Sequence, residues 1–316
     1  MPSSRASTWL APSPAVRAAR QKKQPIVALE SAVLTHGLPP GERLPLALEL
    51  QQAVRQAGAL PAFVALLRGK AVVGLTPHAL ETLTTATGVS KCARADLGWL
   101  LAQKATAGTT VSATIHFAAA AGIAVVATGG IGGVHRDAAD TFDVSADLME
   151  LSRTPVALVC SGAKTIVNLR KTLESLESRS VPVIGYQTEE LPGFLVRRTG
   201  LPLRATASET TELAEAIRQY RATGYQGAIL VANPIPEEAA LPADQIESLI
   251  AEVHRRANQK GVAGAALTPF LLQTMNQLSC GATLRANRAL LRANAALAAR
   301  LAAALARPRR GFRRAR

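Results

Sequence analysis

Between Asp137 and Lys164 the chain reads DAADTFDVSADLMELSRTPVALVCSGAK, its densest cluster of carboxylates. Asp143 and Asp147 stand four apart, a spacing that puts both on one face if the segment is helical. Asp140 and Glu150 add charge nearby. Two chemistries fit. Oxygen ligands suit a hard divalent ion. Carboxylates in the first turn of a helix are also stabilised by its dipole, with no ion. Spacing alone favours the dipole. The same stretch then crosses the apolar run Val156–Val159 and reaches a lysine among small residues, Ser161-Gly162-Ala163-Lys164. Small neighbours leave the lysine stem room. Exclusion of water favours a neutral amine, the nucleophilic form. A phosphate-binding or salt-bridged lysine is the plainer alternative.

Three further features could join it. Glu30 closes the short β-prone run Pro25–Leu29. An acid at a buried strand end is costly unless paired or used, so it reads equally as a general acid–base or as half of a salt bridge. The run Gly129-Gly130-Ile131-Gly132-Gly133 follows a strand-like segment. Glycines let backbone amides approach a phosphate, but this is neither a dinucleotide fingerprint nor a Walker loop, and a tight strand exit fits as well. Gly130, Gly132, Gly133 and the following His135 are taken as candidate substrate contacts. The five histidines show no metal-ligand spacing to one another, and no serine–histidine–aspartate logic emerges.

These groups need a scaffold. Strand-like runs are expected at 25–29, 62–67, 71–75, 123–127, 181–186 and 228–232, with a hairpin at Gly69. Helical spacing is expected at 44–57, 77–85, 110–121, 165–178, 209–221 and 242–259. Residues 267–306 read as two helices parted at Ser279–Gly281, residues 36–41 as a loop, and Lys91–Asp96 as a polar loop. Alternation of strands and helices, with several fully apolar strands, predicts an α/β fold. It is a single domain with a mainly parallel central sheet flanked by helices on both faces. In such sheets ligands bind beyond the carboxyl ends of the strands. Those ends deliver Glu30, Thr128-Gly129-Gly130, Ser161–Lys164 and Asn233 to one rim.

The totals narrow the class. The chain has 316 residues, 48% of them apolar, enough for a sizeable core. No apolar stretch of membrane-spanning length is free of charge, so no membrane span is expected. Three scattered cysteines, Cys92, Cys160 and Cys280, suggest neither a disulfide framework nor a zinc site, and fit a reducing, cytoplasmic setting. The net charge of +14 looks like a nucleic-acid signal, but removing five basic residues in 1–23 and six arginines in 307–316 leaves +3. Nucleic-acid faces lie on the folded body. Residues 1–23 are therefore expected to be a flexible basic segment, 24–306 a single folded domain, and 307–316 an arginine-rich tail. Aromatics make up only 3%, too few for base-stacking platforms.

Together the strings are more specific. VALESAVLTHGLP (27–39), KCARADL (91–97), TTVSATI (109–115), ATGGIGGVHRDAADTFDVSADLMEL (127–151), VCSGAKTI (159–166), VANPIPEE (231–238), TPFLL (268–272) and TLRAN (283–287) occur in order. The chain resembles the pseudouridine-5′-phosphate glycosidase family, the indigoidine synthase A-like proteins, over roughly residues 14–303. The resemblance implies reversible conversion of pseudouridine 5′-phosphate and water into uracil and ribose 5-phosphate, a reaction of the hydro-lyase type. It implies one Mn²⁺ per subunit and a homotrimer. A carbon–carbon glycosidic bond has no leaving heteroatom to protonate, so the usual two-carboxylate route does not suffice. The family route opens the ribose and forms a lysine imine at C1′, an electron sink as the bond to uracil breaks. By motif, Lys164 matches the imine-forming lysine and Glu30 the proton donor. Asp143 matches the metal ligand, acting through waters. Ser145, Ala146 and Asp147 match the substrate-binding triplet. Lys91 and Val111 match substrate contacts, Val111 through its backbone, and Asn287 an asparagine near the base.

The match is imperfect. Gly41-Glu42-Arg43 stands where the family often has Pro-x-Asn, and Asp137 replaces a usual glycine. Lys91-Cys92-Ala93-Arg94-Ala95-Asp96 lacks a hydroxyl and an arginine of the family pattern. Two rival readings follow: a related C-nucleotide or sugar-phosphate lyase with an altered substrate, and an RNA-binding protein using basic tails.

Overall fold

The computed structural model describes residues 9–262 and 267–307. The elements run β1 (Leu10–Pro12), α1 (Pro14–Gln21), β2 (Ile26–Leu29), α2 (Ala32–His36), α3 (Pro40–Gln56), β3 (Leu60–Leu67), β4 (Lys70–Val73) and α4 (Pro77–Thr85). Then come β5 (Ser90–Cys92), α5 (Leu97–Ala102), β6 (Ala107–Thr109), α6 (Val111–Ala120), β7 (Val125–Ala127), α7 (Ala138–Thr141), α8 (Ala146–Leu151) and β8 (Ala157–Cys160). The rest are α9 (Leu169–Ser178), β9 (Val183–Tyr186), β10 (Ala205–Ala207), α10 (Thr210–Ala222), β11 (Ile229–Ala232), α11 (Ala243–Gln259), α12 (Leu267–Leu278) and α13 (Ala282–Ala306).

The sheet order is β1-β4-β3-β2-β7-β8-β11-β9-β10, with β5 and β6 attached beside β3. Every neighbouring pair is parallel except β3–β4 and β3–β6. All four residues of β2, of β8 and of β11 are buried, so helices cover both faces of these apolar strands. From β2 the chain steps to β3 on one side, and β7 later pairs on the other. This change of direction opens a crevice above the carboxyl ends of β2 and β7, the usual ligand position in open α/β sheets.

The α13 helix packs on β2, β7 and β8 and against α3 and α10. Its length and hydropathy would suit a membrane crossing, but most of its apolar residues are buried inside the fold. Gly281, with φ +80°, marks its start, because only a residue without a Cβ takes this backbone cheaply.

Several expectations change. Residues 9–23 are not a loose segment. Leu10–Pro12 pairs parallel with β4, and α1 buries Val16 and Ala19. Ser13 caps that helix by accepting from the Val16 amide at 3.3 Å, and Pro14 follows at the first turn. A reading based on charge overlooked this start signal. Residues 36–41 are not a free loop, since α2 ends at His36 and α3 already begins at Pro40. Lys91 lies on β5, paired opposite Gly108, rather than in a loop. The helix expected from Thr165 starts only after Asn168, whose side chain caps the Lys171 amide at 2.9 Å. Of the expected tail 307–316, residues 308–316 lie outside the described residues.

Candidate active site above the central strands

One cavity of about 190 Å³ gathers most of the predicted residues: Glu30, Lys91, Gly130, Gly132, His135, Ser145, Ala146, Asp147, Lys164 and Asn287. They arrive from separate parts of the scaffold. Glu30 follows β2 directly, and Lys91 alternates with the buried Cys92 on β5. Lys164 sits in the turn after β8, its amide bonded to the Ile131 carbonyl at 2.9 Å. Asn287 comes from α13.

Glu30 is 7% exposed and accepts a hydrogen bond from the Thr128 hydroxyl. Burial pushes its carboxyl above the usual range; the Lys164 charge and the Thr128 hydrogen bond pull back, and Asp147 pushes the same way as burial. A carboxyl shifted upward keeps its proton nearer neutral pH, as a general acid must. Burial lowers the Lys91 ammonium, and the Lys164 charge adds to this, against Glu30, Asp147 and Asp96. The three groups thus feel one another's charge within one cavity. Burial raises the Cys92 and Cys160 thiols to about 12, which leaves neither as a thiolate nucleophile.

Asp147 and Asp143 separate sharply. They do not share a helix face. Phe142, at φ 55°, ends α7, and α8 begins only after the cap Ser145, which accepts from the Asp147 amide at 3.2 Å. Asp147 is buried and accepts from the Ser112 amide at 2.9 Å and the Gly132 amide at 2.8 Å. It locks the start of α6 and the glycine turn to α8. Asp143 is absent from the cavity wall. Its side chain is 37% exposed and lies 3.9 Å from His135 Nε2. His135 is buried, and its Nδ1 has no partner among the described residues.

The glycines serve close approach rather than unusual backbone. A Cβ on Gly132 would meet Ser145 Oγ at 2.2 Å, and one on Gly130 would meet the Phe194 ring at 2.7 Å. Gly133 lies off the cavity wall, against Thr172. The amides of Ile131 and Gly132 are already bonded, to the Gly162 carbonyl and to Asp147, so these two do not serve a phosphate. Val111 is buried and also off the wall, which is formed by its neighbours Thr110 and Ser112.

Two groups had no task assigned from the sequence. Thr128 holds Glu30. Asn294, fully buried, donates to the Thr128 carbonyl at 2.9 Å and to Ser161 Oγ at 3.1 Å, and accepts from Asn233 at 2.9 Å. It ties α13 to the ends of β7, β8 and β11. Asn287 and Asn294 stand seven apart, two helical turns, and so share a face. An asparagine repeating at that interval in an alanine- and leucine-rich helix was the available signal.

Also on α8, Glu150 is 1% exposed. It accepts from Thr154 at 2.6 Å and from Arg153 at 2.7 Å, with Arg94 at 3.5 Å and His116 at 3.4 Å. Burial pushes its carboxyl up, but the hydrogen bonds from His116, Thr154 and Arg153 win and hold it at about 2. The carboxylate joins the segment after Lys91 to the helix bearing Asp147. Glu150 is therefore a structural anchor rather than added charge beside Asp143 and Asp147.

A family model, indigoidine synthase A-like protein, matches residues 15–304. A pseudouridine-5′-phosphate glycosidase of Jannaschia sp. (strain CCS1) is 49% identical over 279 residues, 88% of this chain and 92% of that protein. One from Caldanaerobacter subterraneus subsp. tengcongensis is 46% identical, over 87% of this chain and 90% of that protein. Among solved structures, the prealnumycin C-glycosynthase AlnA in complex with ribulose 5-phosphate superposes with TM-score 0.88 at 36% identity, covering 95% of this chain and 98% of that one. An indigoidine synthase A-like protein of Thermotoga maritima gives TM-score 0.86 at 34% identity, covering 94% and 97%.

Proposed function

The chain belongs to the indigoidine synthase A-like family, and from that membership we propose that it cleaves the carbon–carbon glycosidic bond of pseudouridine 5′-phosphate, giving uracil and ribose 5-phosphate reversibly. The observation that carries this reading is the meeting of Lys164, Glu30 and Lys91 in one cavity above β2 and β7. An amine nucleophile and a carboxyl that keeps its proton are the two groups the reaction requires.

In the cleavage direction the Lys164 amine bonds to C1′ as the ring oxygen leaves C1′ and takes up a proton. Glu30 supplies the proton that goes to C5 of the base. The C1′–C5 bond then breaks, its electrons staying with uracil, while the lysine nitrogen closes an iminium on C1′. Water hydrolyses the iminium and returns the free amine. Lys91 offers positive charge to the substrate. Ser145, Ala146 and Asn287 shape the wall around it. Asp147, with both oxygens engaged by backbone amides, acts here by fixing the turn.

A divalent ion fits only in a loose form. Among the described residues no three histidine, cysteine, aspartate or glutamate side chains form a cage. Asp143 supplies one exposed carboxylate beside His135. A hard ion that keeps most of its waters, as Mn²⁺ or Mg²⁺ does, suits such a donor. Asp143 would hold it through water, and its charge would help orient substrate oxygens at the rim. The homotrimer and the cytoplasmic setting belong to the same proposal. Three free cysteines fit that setting.

The test is uracil release from pseudouridine 5′-phosphate, with the enzyme stripped by chelator and then given Mn²⁺. Release that falls on stripping and returns with Mn²⁺ is expected. Full activity without metal would remove the ion from the account, and no release in either state would remove the substrate. A second reading keeps the chemistry and changes the base. Ala93, where the family pattern has a hydroxyl, lines the cavity, so a panel of C-nucleotides belongs in the same assay.

A further inference from the structure

A second cavity, of about 330 Å³, opens beside the first. The two share His36, Gly37, Phe194, Leu272 and Asn287 as a common wall. They differ in the charge they hold. The inner cavity holds Glu30, Lys91, Asp147 and Lys164. The outer one has Leu38, Pro39, Leu195, Met275 and Leu284 beside the uncharged Gln273, Asn276 and Thr283, and among the described residues Arg43 is its charged member. That guanidinium is already committed, donating to the Leu38 carbonyl at 3.1 Å and the Thr84 carbonyl at 3.4 Å. It is therefore a brace between α3 and α4 and not a free anion hook.

This contrast orients a substrate. A ribose phosphate carries hydroxyls and negative charge, which need the polar partners of the inner cavity. The flat base is the part that tolerates an apolar boundary, and Phe194 and Leu272 form it. A base joined to C1′ through C5 turns its ring nitrogens N1 and N3 away from the sugar. A substituent there would leave the inner cavity through the shared wall and enter the outer one. Burial of apolar groups against leucine and methionine walls is favourable.

Resting on the proposed reaction, we propose that the outer cavity is an aglycone subsite, and that the enzyme accepts C-ribonucleotide 5′-phosphates whose base carries an apolar substituent on its far edge. The same bonds form and break as with the parent; only the leaving base is larger.

The experiment compares pseudouridine 5′-phosphate with its N1-butyl derivative, reading base release from each in the wild-type protein and in two variants. Leu284→Trp narrows the outer cavity from α13, and Gln273→Trp narrows its lip from α12. Thermal melting of both variants checks folding. The wild type is expected to process the butyl substrate within about tenfold of the parent, and a steric block should lower the butyl-to-parent ratio about tenfold or more. Good turnover of the parent with a butyl rate more than about a hundredfold lower would overturn the subsite and leave the reaction standing. An unchanged ratio in both folded variants would also overturn it, because the substituent would then lie elsewhere. Failure of the parent itself would instead strike at the proposed reaction.

Discussion

Glu30 stands where an acid is expensive, buried after β2 with the Thr128 hydroxyl as its hydrogen-bond donor. The structure accepts that cost at a point of use. Because its folded pKa is raised above 4.5, Glu30 is stabilising to the fold when protonated, and that contribution is lost as pH rises through the folded value. Glu30→Gln should therefore melt higher than wild type at about pH 8 and converge with it towards about pH 4. The same substitution should lower kcat by about a hundredfold to ten-thousandfold, the usual worth of a positioned general acid. A melting curve and a uracil-release assay on one variant check both. Loss of activity with no stability gain would mean that Glu30 is paired rather than poised. At this scale the sequence was partly legible. Glu30 and Lys164 stand out because a charge next to an apolar strand demands a reason. By spacing alone Asp143 and Asp147 did not separate, because Phe142 takes a left-handed turn that no spacing rule anticipates; only the family motif gave them different roles. Thr128 could be placed at the rim but given no task, since a threonine at a strand end is ordinary.

At the scale of elements, the α13 helix does more than fill the core. Its Asn287 faces the cavity, and two turns on, Asn294 clasps the strand ends that carry Thr128 and Ser161. Asn294→Ala leaves the buried Thr128 carbonyl without that donor and should cost roughly 1–3 kcal/mol in a urea titration. Activity should fall beyond what the folded fraction explains, because the Thr128 that holds Glu30 shifts with its strand end. An effect below about 0.5 kcal/mol would show that the clasp is dispensable. The sequence announced this helix clearly through composition and the glycine break at 281. Its partners depend on sheet order, which periodicity does not encode. Lys91 was misplaced for a related reason: β5 has three residues and is a strand only because β6 is there to pair with it.

Over the whole molecule, the chain changes direction between β3 and β7 on either side of β2, and that crossover opens the crevice where the cavity lies. The alternation of apolar strands with helices made the class and the rim readable. The extent of the fold was harder to see. Net charge suggested that the first 23 residues were a flexible segment, yet β1 extends the sheet beside β4 and α1 closes over Val16 and Ala19. Deleting residues 1–23 should lower the melting temperature clearly, and an unchanged melt would return the segment to the status of a tail. An RNA-binding function for the basic ends would show as affinity falling steeply with salt. The central claim is covalent, and borohydride reduction in the presence of ribose 5-phosphate tests it most directly. Peptide mapping should find the reduced ribose phosphate adduct on Lys164, with none formed by Lys164→Ala and no uracil released by that variant. Absence of an adduct at Lys164, or normal turnover by Lys164→Ala, would contradict the account.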